Sequence, residues 1–314
     1  MLGCWDMFKY TLDNKRYHTL NYYFKNKYGK KTFKVPLNGN FSCPNKEKDG
    51  HGCIFCSRLG SGDFAGNVLD PLDIQFKKGI EMMEKKWPNS YYIGYFQANT
   101  NTYAPLNELK QKYELILQQP NVVGLNIATR SDSISKECYD YLEKLSHKTN
   151  LIVEIGLQSM HNKTLQFINR GHDLNNFEQC IKELKKRNIE TVVHIINGLP
   201  NETKEDMIET VKYLNKLNID GIKIHMLHII KDTDLADYYQ EHPFHILTKE
   251  EYIDIVISQL EYLNPKIVIH RITGDPKKED LIEPQWLLKK FCVLNDIDKE
   301  MVKRDTYQGI KYQK

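Results

Sequence analysis

Three cysteines lie close together in one glycine-containing loop of the sequence. Cys43, Cys53 and Cys56 form a C-x9-C-x2-C pattern, which follows a short run of β-forming residues at 32–37. Thiolates are the ligands that iron–sulfur clusters use, and structural zinc ions share this preference for cysteine. His51 stands beside this pattern and could be a fourth zinc ligand. The spacing alone therefore leaves an iron–sulfur cluster and a zinc ion as nearly equal alternatives.

The segments that must position this loop alternate between short β-branched runs and longer amphipathic runs. The predicted strands are 32–37, 91–97, 122–128, 151–158, 191–196 and 221–228, with a seventh at 266–271. The predicted helices are 71–86, 105–118, 135–145, 175–187, 202–217, 248–263 and 284–294. Six successive strand–helix units predict an α/β fold with parallel strands. Either an open doubly wound sheet or a partial barrel would satisfy this pattern.

The alternation occupies the middle of the chain and suggests three parts. We expect an N-terminal extension at 1–31, a core at 32–240 and a C-terminal α/β extension at 241–314 that packs on the core. A chain of 314 residues suits one large domain with extensions.

Composition gives weaker constraints on the class of protein. Apolar residues make up 40% and charged residues 27%, and the net charge is +3, which is an ordinary balance for a globular protein. We find neither an apolar run long enough for a membrane span nor a secretory signal. We therefore expect a cytoplasmic, reducing location, in which the seven cysteines are not a disulfide framework.

The cysteine loop and its position after the first strand resemble those of the radical S-adenosylmethionine (SAM) superfamily. The wide spacing is similar to that of the elongator catalytic subunit and, more closely, to the YhcC/YtqA-like branch. That branch carries a "TCPNRDG…GCxFC" loop, matched here by residues 42–56, and the resemblance extends over about 17–303. It implies a partial (βα)6 TIM-like barrel in which Cys43, Cys53 and Cys56 hold a [4Fe–4S] cluster that cleaves SAM.

The resemblance also implies which residues hold SAM at the ends of the second and third strands. Gln97 and Asn99 stand where the superfamily usually has a "GGE" motif for the SAM amino group, and this chain departs from that motif. Thr129 and Arg130 belong to a segment similar to the "TRPD" motif. An asparagine-rich turn and a structural pair between Arg130 and Asp132 are the alternatives.

Further SAM contacts are implied at the next two strands. Glu154 and Gln158 match an "ELGxQS" pattern, and Arg170 matches an "xRGH" motif in which its guanidinium would fork onto the SAM carboxylate. A buried carboxylate such as Glu154 needs a partner or a role. Ile196 and Gly198 lie in a segment close to "HxIxGLPGET", where they would contact adenine and allow close backbone approach.

Two later strands carry candidate substrate residues. Alternation along the sixth strand places Lys223 and His225 on one face, which in a barrel would be the lumen. We predict that these two residues are catalytic, although a satisfied structural histidine is the alternative. Arg271 and Asp275 match an "RxTGD" pattern and are either substrate contacts or a structural ion pair.

Residues 9–34 combine many lysines with interleaved tyrosines and phenylalanines. Cations and aromatic rings together suit phosphate contacts and base stacking in nucleic acid, although an ordinary solvated helix is the alternative. The resemblance implies tRNA as a partner and wobble uridine as the substrate, in a step that converts a 5-carboxymethylaminomethyl group to 5-aminomethyl. It also implies an electron donor such as flavodoxin or ferredoxin. A radical SAM enzyme for a small molecule or protein, and a non-enzymatic zinc module, are the competing hypotheses.

Overall fold

Seven parallel strands form one curled sheet. A computed structural model describes residues 10–11, 13–57, 60, 62 and 64–313. Its strands are β1 (Thr32–Leu37), β2 (Tyr91–Phe96), β3 (Val122–Thr129), β4 (Asn150–Gln158), β5 (Glu190–Asn197), β6 (Gly221–Met226), β7 (Ile229–Ile230), β8 (Val268–Arg271) and β9 (Leu281–Glu283). The main sheet has the order β1-β2-β3-β4-β5-β6-β8, and β7 pairs with β9 in a separate two-stranded sheet.

Helices connect successive strands and continue beyond the sheet. They are α1 (Leu20–Tyr28), α2 (Pro44–Asp49), α3 (Leu72–Glu84), α4 (Leu106–Leu117), α5 (Lys136–Ser146), α6 (Asn162–Phe167), α7 (Leu174–Lys186), α8 (Lys204–Asn215), α9 (Asp234–Glu241), α10 (Lys249–Tyr262) and α11 (Lys290–Lys303). The predicted helix at 284–294 is instead a 3₁₀ turn, Gln285–Lys289, followed by the longer α11.

The order of the strands decides between the two architectures that the sequence left open. An open doubly wound sheet reverses its strand order at a switch point. Here the order of β1 to β6 follows the chain, and all neighbouring strands are parallel. Each crossover therefore turns in the same direction and the sheet curls, as in a TIM barrel. The predicted partial TIM-like barrel with terminal extensions is confirmed.

Local sequence signals fix several helix starts. Ser135 caps α5 and Asp173 caps α7, each by accepting a hydrogen bond from a backbone N–H in the first turn. Thr203 and Thr248 each form a capping box with an acidic residue three positions later. Such caps satisfy N–H groups that have no partner within the helix, so the helices begin close to the predicted positions.

The N-terminal extension covers the end of the barrel where the strands begin. Phe24 of α1 is buried against Ile93, Ile152 and Val192, which point inward from three strands. Thr19, just before α1, forms a parallel bridge with Ile269 of β8. Helix α1 therefore lies at the opposite end of the strands from the cysteine loop, which follows the end of β1.

The C-terminal extension contributes to the sheet as well as packing on it. Strand β8 comes from this segment and pairs with β6, while α10 packs against α8 and α11. The two extensions also meet, because Lys15 pairs with Asp298 and Arg16 with Asp305. The domain boundary at residue 240 stays a prediction.

Within the part of the chain that the structure describes, none of the helices has the length and apolar character required to cross a membrane.

Replacing Phe24 by alanine should destabilise the protein by about 3–5 kcal/mol, because the substitution leaves a cavity in a closely packed cluster. Urea unfolding followed by circular dichroism measures this free energy. Lys25→Ala is the matched control, since Lys25 is exposed on the same helix and its loss should change stability by no more than about 0.5 kcal/mol. A loss below about 1 kcal/mol for Phe24→Ala would contradict the assigned packing of α1.

Candidate functional site

A cavity of about 190 Å³ opens where the strands of the barrel end. Most of the predicted site residues line it, namely Cys43, Cys53, Cys56, Gln97, Asn99, Thr129, Arg130, Glu154, Gln158, Arg170, Lys223 and His225. They come from the cysteine loop, from β2, β3, β4 and β6 or the turns that follow these strands, and, for Arg170, from the segment after α6. The structure thus brings together residues that are up to 182 positions apart in the chain.

The cysteine loop is fastened to the segment that follows α6. Nδ2 of Asn45 donates a hydrogen bond to the carbonyl of Asn169 at 2.7 Å, and Nδ2 of Asn169 donates to the carbonyl of Gly52 at 2.7 Å. The N–H of Ile54 donates to the carbonyl of Ile168. These reciprocal bonds hold the loop over the cavity without using any of the three thiols.

The Cys53 thiol is buried among hydrogen-bond donors. Nη1 of Arg170 and Nδ2 of Asn45 each lie 3.6 Å from its Sγ. A hydrogen bond with Cys56 lowers the pKa of Cys53, and the positive charges of Arg170 and Arg130 lower it further, against the effect of burial. The surroundings therefore favour a thiolate, the form that binds metal.

These features fit a cubane iron–sulfur cluster. Three thiols face one cavity, and cationic side chains close to them would offset the negative charge of a thiolate-ligated cluster. Nη1 of Arg130 is buried without a hydrogen-bond partner in the described part of the chain. His51, the fourth ligand of the zinc alternative, is exposed, does not line the cavity and pairs with Asp234.

The side chains of Asn99 and Arg130, near the thiols, form hydrogen bonds with other residues of the chain. The Asn99 side chain donates to the carbonyl of Phe41 at 3.1 Å and accepts from Nζ of Lys46 at 3.4 Å. Arg130 forks onto Asp132, with N···O distances of 2.9 and 2.7 Å. The structural pair that the sequence left open therefore exists, and it still leaves Nη1 of Arg130 without a partner.

Strand β4 ends in an irregular backbone that brings Arg170 close. The register between β4 and β5 shifts between Gly156 and Gln158, and Gln158 has a left-handed φ of 76°. Nη2 of Arg170 donates to the carbonyl of Gly156 at 2.6 Å. A Cβ at Gly156 would lie 2.9 Å from this nitrogen, so the close approach requires glycine. Strain of this kind is concentrated at functional sites.

A buried cluster of polar side chains forms the floor of the cavity around Glu154. Its Oε1 accepts from Nζ of Lys34 at 2.8 Å and Nδ2 of Asn126 at 2.7 Å. Its Oε2 lies 2.9 Å from Nε2 of His194 and accepts from Nζ of Lys223 at 2.6 Å. Both carboxylate oxygens are therefore engaged by side chains of four other strands. The prediction that Glu154 binds SAM stays a prediction.

Four further side chains belong to this site although the sequence motifs do not predict them, namely Lys34, Tyr95, Asn126 and His194. Nζ of Lys223 also donates to Oη of Tyr95 at 2.7 Å. The available signal was alternation, because each of these polar side chains occupies an inward position on an otherwise apolar strand. By composition Lys34 belongs to the basic N-terminal segment, although its side chain lies largely buried inside the barrel against Glu154.

Charge in this floor is controlled by burial and by Glu154. Burial raises the pKa of Glu154, but Lys223 and Lys34 outweigh this and hold it well below its ordinary value. Burial lowers the pKa of Lys223 to about 7 and that of His194 to about 4. Burial and the neighbouring His194 lower the pKa of His225. At neutral pH the carboxylate is charged and both histidines are neutral.

A second cavity of about 170 Å³ adjoins the first and is more apolar. It shares Cys56, Gln158, His194 and His225 with the first cavity. Its additional lining is mostly hydrophobic and includes Ile196, Met226, Leu227 and Ile230. Ile196 thus lines the apolar cavity, where a bound apolar group such as the predicted adenine could contact it. Gly198 lines neither cavity, and its N–H lies 3.3 Å from Sδ of Met207.

Apart from Lys34, the basic N-terminal segment lies away from this site, and several of its side chains have partners within the chain. Lys27 pairs with Glu190 at the start of β5. Lys9 lies outside the described residues. The prediction that this segment contacts RNA stays a prediction, and the cavity opens at the other end of the barrel.

Asp275 does not pair with Arg271. Its Oδ2 accepts from Nζ of Lys290 at 2.6 Å, which joins the turn after β8 to the first turn of α11. Asp275 therefore forms a structural ion pair, as one of the two alternatives held, but its partner is Lys290 rather than Arg271. Arg271 lines the cavity.

Two known family models together match most of the chain. Residues 48–214 match the Radical SAM superfamily, and residues 219–303 match the Radical_SAM C-terminal domain. The chain is 45% identical over 309 residues to protein YtqA of Bacillus subtilis, covering 98% of this chain and 96% of that one. The resemblance to the YhcC/YtqA-like branch is therefore confirmed.

More distant similarities involve larger proteins. The chain is 28% identical over 149 residues to the tRNA uridine(34) acetyltransferase of Methanocaldococcus infernus, covering 46% of this chain and 27% of that one. The solved structure of Elp3 from the same organism, lacking its N-terminus, superposes with a TM-score of 0.67 at 17% identity. That match covers 89% of this chain and 64% of the other, and at this identity it demonstrates a shared fold.

Replacing Cys43, Cys53 or Cys56 by alanine should prevent retention of iron, since each substitution removes one of three thiolate ligands. Iron analysis and visible absorption after anaerobic reconstitution should give about four iron atoms per wild-type chain. Cys292→Ala is the matched control, because Cys292 is an exposed free cysteine and should leave the iron content unchanged. A variant that loses one of the three thiols and still holds a full cluster would refute the assigned ligand set.

Glu154→Gln should destabilise the protein by about 3–5 kcal/mol at pH 7, because the substitution leaves two buried lysines without their counter-charge. Since folding lowers the pKa of Glu154, its contribution is complete above the ordinary glutamate pKa, about 4.3, and is lost as the pH falls through the lower folded value. Urea unfolding at a series of pH values measures this difference.

The control for this substitution is Glu241→Gln, at an exposed position at the end of α9. It should change stability by no more than about 0.5 kcal/mol. Equal stabilities of wild type and Glu154→Gln at pH 7 would show that Glu154 does not neutralise the lysines of the floor.

Proposed function

Because the chain belongs to the radical SAM superfamily, it is a radical SAM enzyme with a [4Fe–4S] cluster and SAM as cofactors, and we propose that it modifies the wobble uridine of tRNA. The observation that carries this proposal is the sequence similarity to the tRNA uridine(34) acetyltransferase of Methanocaldococcus infernus, an enzyme named for that nucleotide. The shared fold with Elp3 over 89% of the chain supports it. The specific reaction we propose converts 5-carboxymethylaminomethyluridine to 5-aminomethyluridine.

When bound to Cys43, Cys53 and Cys56, the reduced cluster supplies the electron that cleaves SAM. The chain's own contribution is to bind and orient SAM and to exclude water from the cavity. We propose that the free Nη1 of Arg130 and the buried Nε of Arg170 donate to anionic groups close to the thiols, because both atoms lack partners in the described part of the chain.

Three further residues would complete the binding of SAM. Gln97 and Gln158 line the cavity and carry amide groups that can both donate and accept hydrogen bonds. Ile196 lies in the apolar part, where it can contact an uncharged ring. These roles follow from the chemistry of each side chain and its position in the two cavities.

The floor of the cavity would meet the substrate. With a pKa of about 7, Lys223 can hold or release a proton at Nζ near neutral pH. Oη of Tyr95 and Oε2 of Glu154 keep this nitrogen in place. Nε2 of His225 is buried without a partner in the described part of the chain and can form one hydrogen bond to a bound group. We propose that Lys223 and His225 contact the reacting part of the uridine.

The cluster requires an external reductant, as in all enzymes of this superfamily. We propose a small electron-transfer protein such as flavodoxin or ferredoxin. The part of the site that such a protein could approach is the loop around Cys43, because Cys43 and Cys56 are only half-buried.

The test is formation of 5′-deoxyadenosine by reduced, anaerobically reconstituted protein, with and without tRNA from a strain that lacks this gene. We expect this tRNA to stimulate product formation, and mass spectrometry of the digested tRNA should show conversion at the wobble uridine. tRNA from the parent strain is the matched control, since its uridine would already be converted and should stimulate less. Cys43→Ala should abolish product formation.

Formation of 5′-deoxyadenosine that no tRNA affects would overturn the proposed substrate while leaving the family chemistry intact. In that case a small molecule or a protein would be the substrate, and the floor of the cavity would still be the place where it binds.

A further inference from the structure

A β-bulge in β8 turns two consecutive side chains, His270 and Arg271, toward the inside of the barrel. The register of β8 with β6 skips His270 and pairs Arg271 with Lys223. Nδ1 of His270 lies 2.9 Å from Nζ of Lys34 in the floor. Regular alternation would send the next side chain to the opposite face of the sheet. Because of the bulge, Arg271 instead lines the same cavity as Lys223.

Arg271 differs from the other cations of this cavity in having no partner. Its side chain forms no hydrogen bond or ion pair with any part of the chain that the structure describes, and it is exposed. Arg130 has Asp132, Arg170 has Gly156 and Cys53, and Lys223 has Glu154.

The charges near Arg271 leave an excess of positive charge in this part of the cavity. Lys34, Lys223 and Arg271 face a single carboxylate, Glu154. Burial lowers the pKa of Lys223 most, and the positive charges of Lys34 and then Arg271 lower it further, so the guanidinium lies close enough to act on that amine. A bound anion would restore balance, and the planar fork of a guanidinium suits a carboxylate in particular.

We infer that Arg271 binds a carboxylate on the substrate and thereby positions the reacting group over Lys223. This inference rests on the proposed function, since a 5-carboxymethylaminomethyl group ends in a carboxylate. The anionic alternative is a backbone phosphate of the same RNA. The carboxylate is favoured because Arg271 is adjacent to the floor in the sheet register, where a side group of one base can enter.

The experiment compares two tRNAs, one with 5-carboxymethylaminomethyluridine and one with 5-aminomethyluridine, for binding to the reconstituted, SAM-loaded protein. Wild type should bind the carboxylate-bearing tRNA more tightly. Arg271→Gln should weaken that binding roughly ten- to hundredfold, the range for a charged hydrogen bond, and leave binding of the other tRNA nearly unchanged. Arg271→Lys, which keeps the charge without the fork, should lie between the two.

Lys278→Gln is the matched control, because Lys278 is an exposed cation in the segment after β8 that does not line the cavity. This variant should behave as wild type with both tRNAs. An equal loss for both tRNAs in Arg271→Gln would assign Arg271 to a backbone phosphate and overturn the inference. No loss for either tRNA would overturn it as well.

A second measurement separates this inference from the proposed function. Phenylglyoxal labelling of Arg271, mapped by peptide mass spectrometry on the unaltered protein, should be slowed by N-methylglycine and not by its uncharged amide. This result would stand even if no tRNA stimulated SAM cleavage, and would then support a different carboxylate substrate. Equal protection by the acid and the amide, or protection by neither, would overturn the carboxylate site.

Discussion

The carboxylate of Glu154 is the interaction on which the inside of this barrel depends. Four other strands send polar side chains to it, and two of these side chains are lysines that would otherwise be buried charges without a partner. A buried charge without a partner strongly destabilises the folded state, so loss of the carboxylate would weaken all of these contacts together. They also close the curled sheet, since Lys34 on β1 approaches both Glu154 and His270 on β8. The first and last strands are thus joined through the lumen.

This arrangement separates two chemical environments along one cavity. Near the cysteine loop, Arg130 and Arg170 face thiols and provide donors for anionic groups. At the floor, neutral histidines and Lys223 surround a single carboxylate, so that small changes in protonation alter the local charge. The apolar cavity beside Ile196 lies next to both. The cavity therefore joins a part whose donors suit anionic groups to a floor where Lys223 can exchange a proton near neutral pH.

Much of the fold and of the site could be predicted because the signals are local. Strand and helix positions follow from periodicity, and residues at the carboxyl ends of parallel strands must lie near one another. The cysteine loop and the residues of the later strand ends met in one cavity for this reason. Gly198 did not, because its backbone turns away from the cavity toward Met207 and Leu247, a direction set by tertiary packing.

Other features were not accessible from local sequence. The composition of the N-terminal segment favours RNA binding, yet Lys34 lies in the lumen and Lys27 pairs with Glu190. Those partners are more than 100 positions away in the chain, so only the folded structure reveals them. The bulge at His270 is likewise visible only in the folded structure. A shift of register between two strands depends on how both strands are packed rather than on the sequence of either.

The two ends of the barrel make different demands on the sequence. At the end where the strands begin, α1 packs Phe24 onto inward-facing Ile93, Ile152 and Val192, and this apolar layer lies directly beneath the charged floor. Water that reached Glu154 from below would weaken its pairing with the lysines, because the strength of an ion pair falls as the local dielectric constant rises. The N-terminal extension therefore supports the chemistry at the opposite end by keeping the underside of that floor apolar.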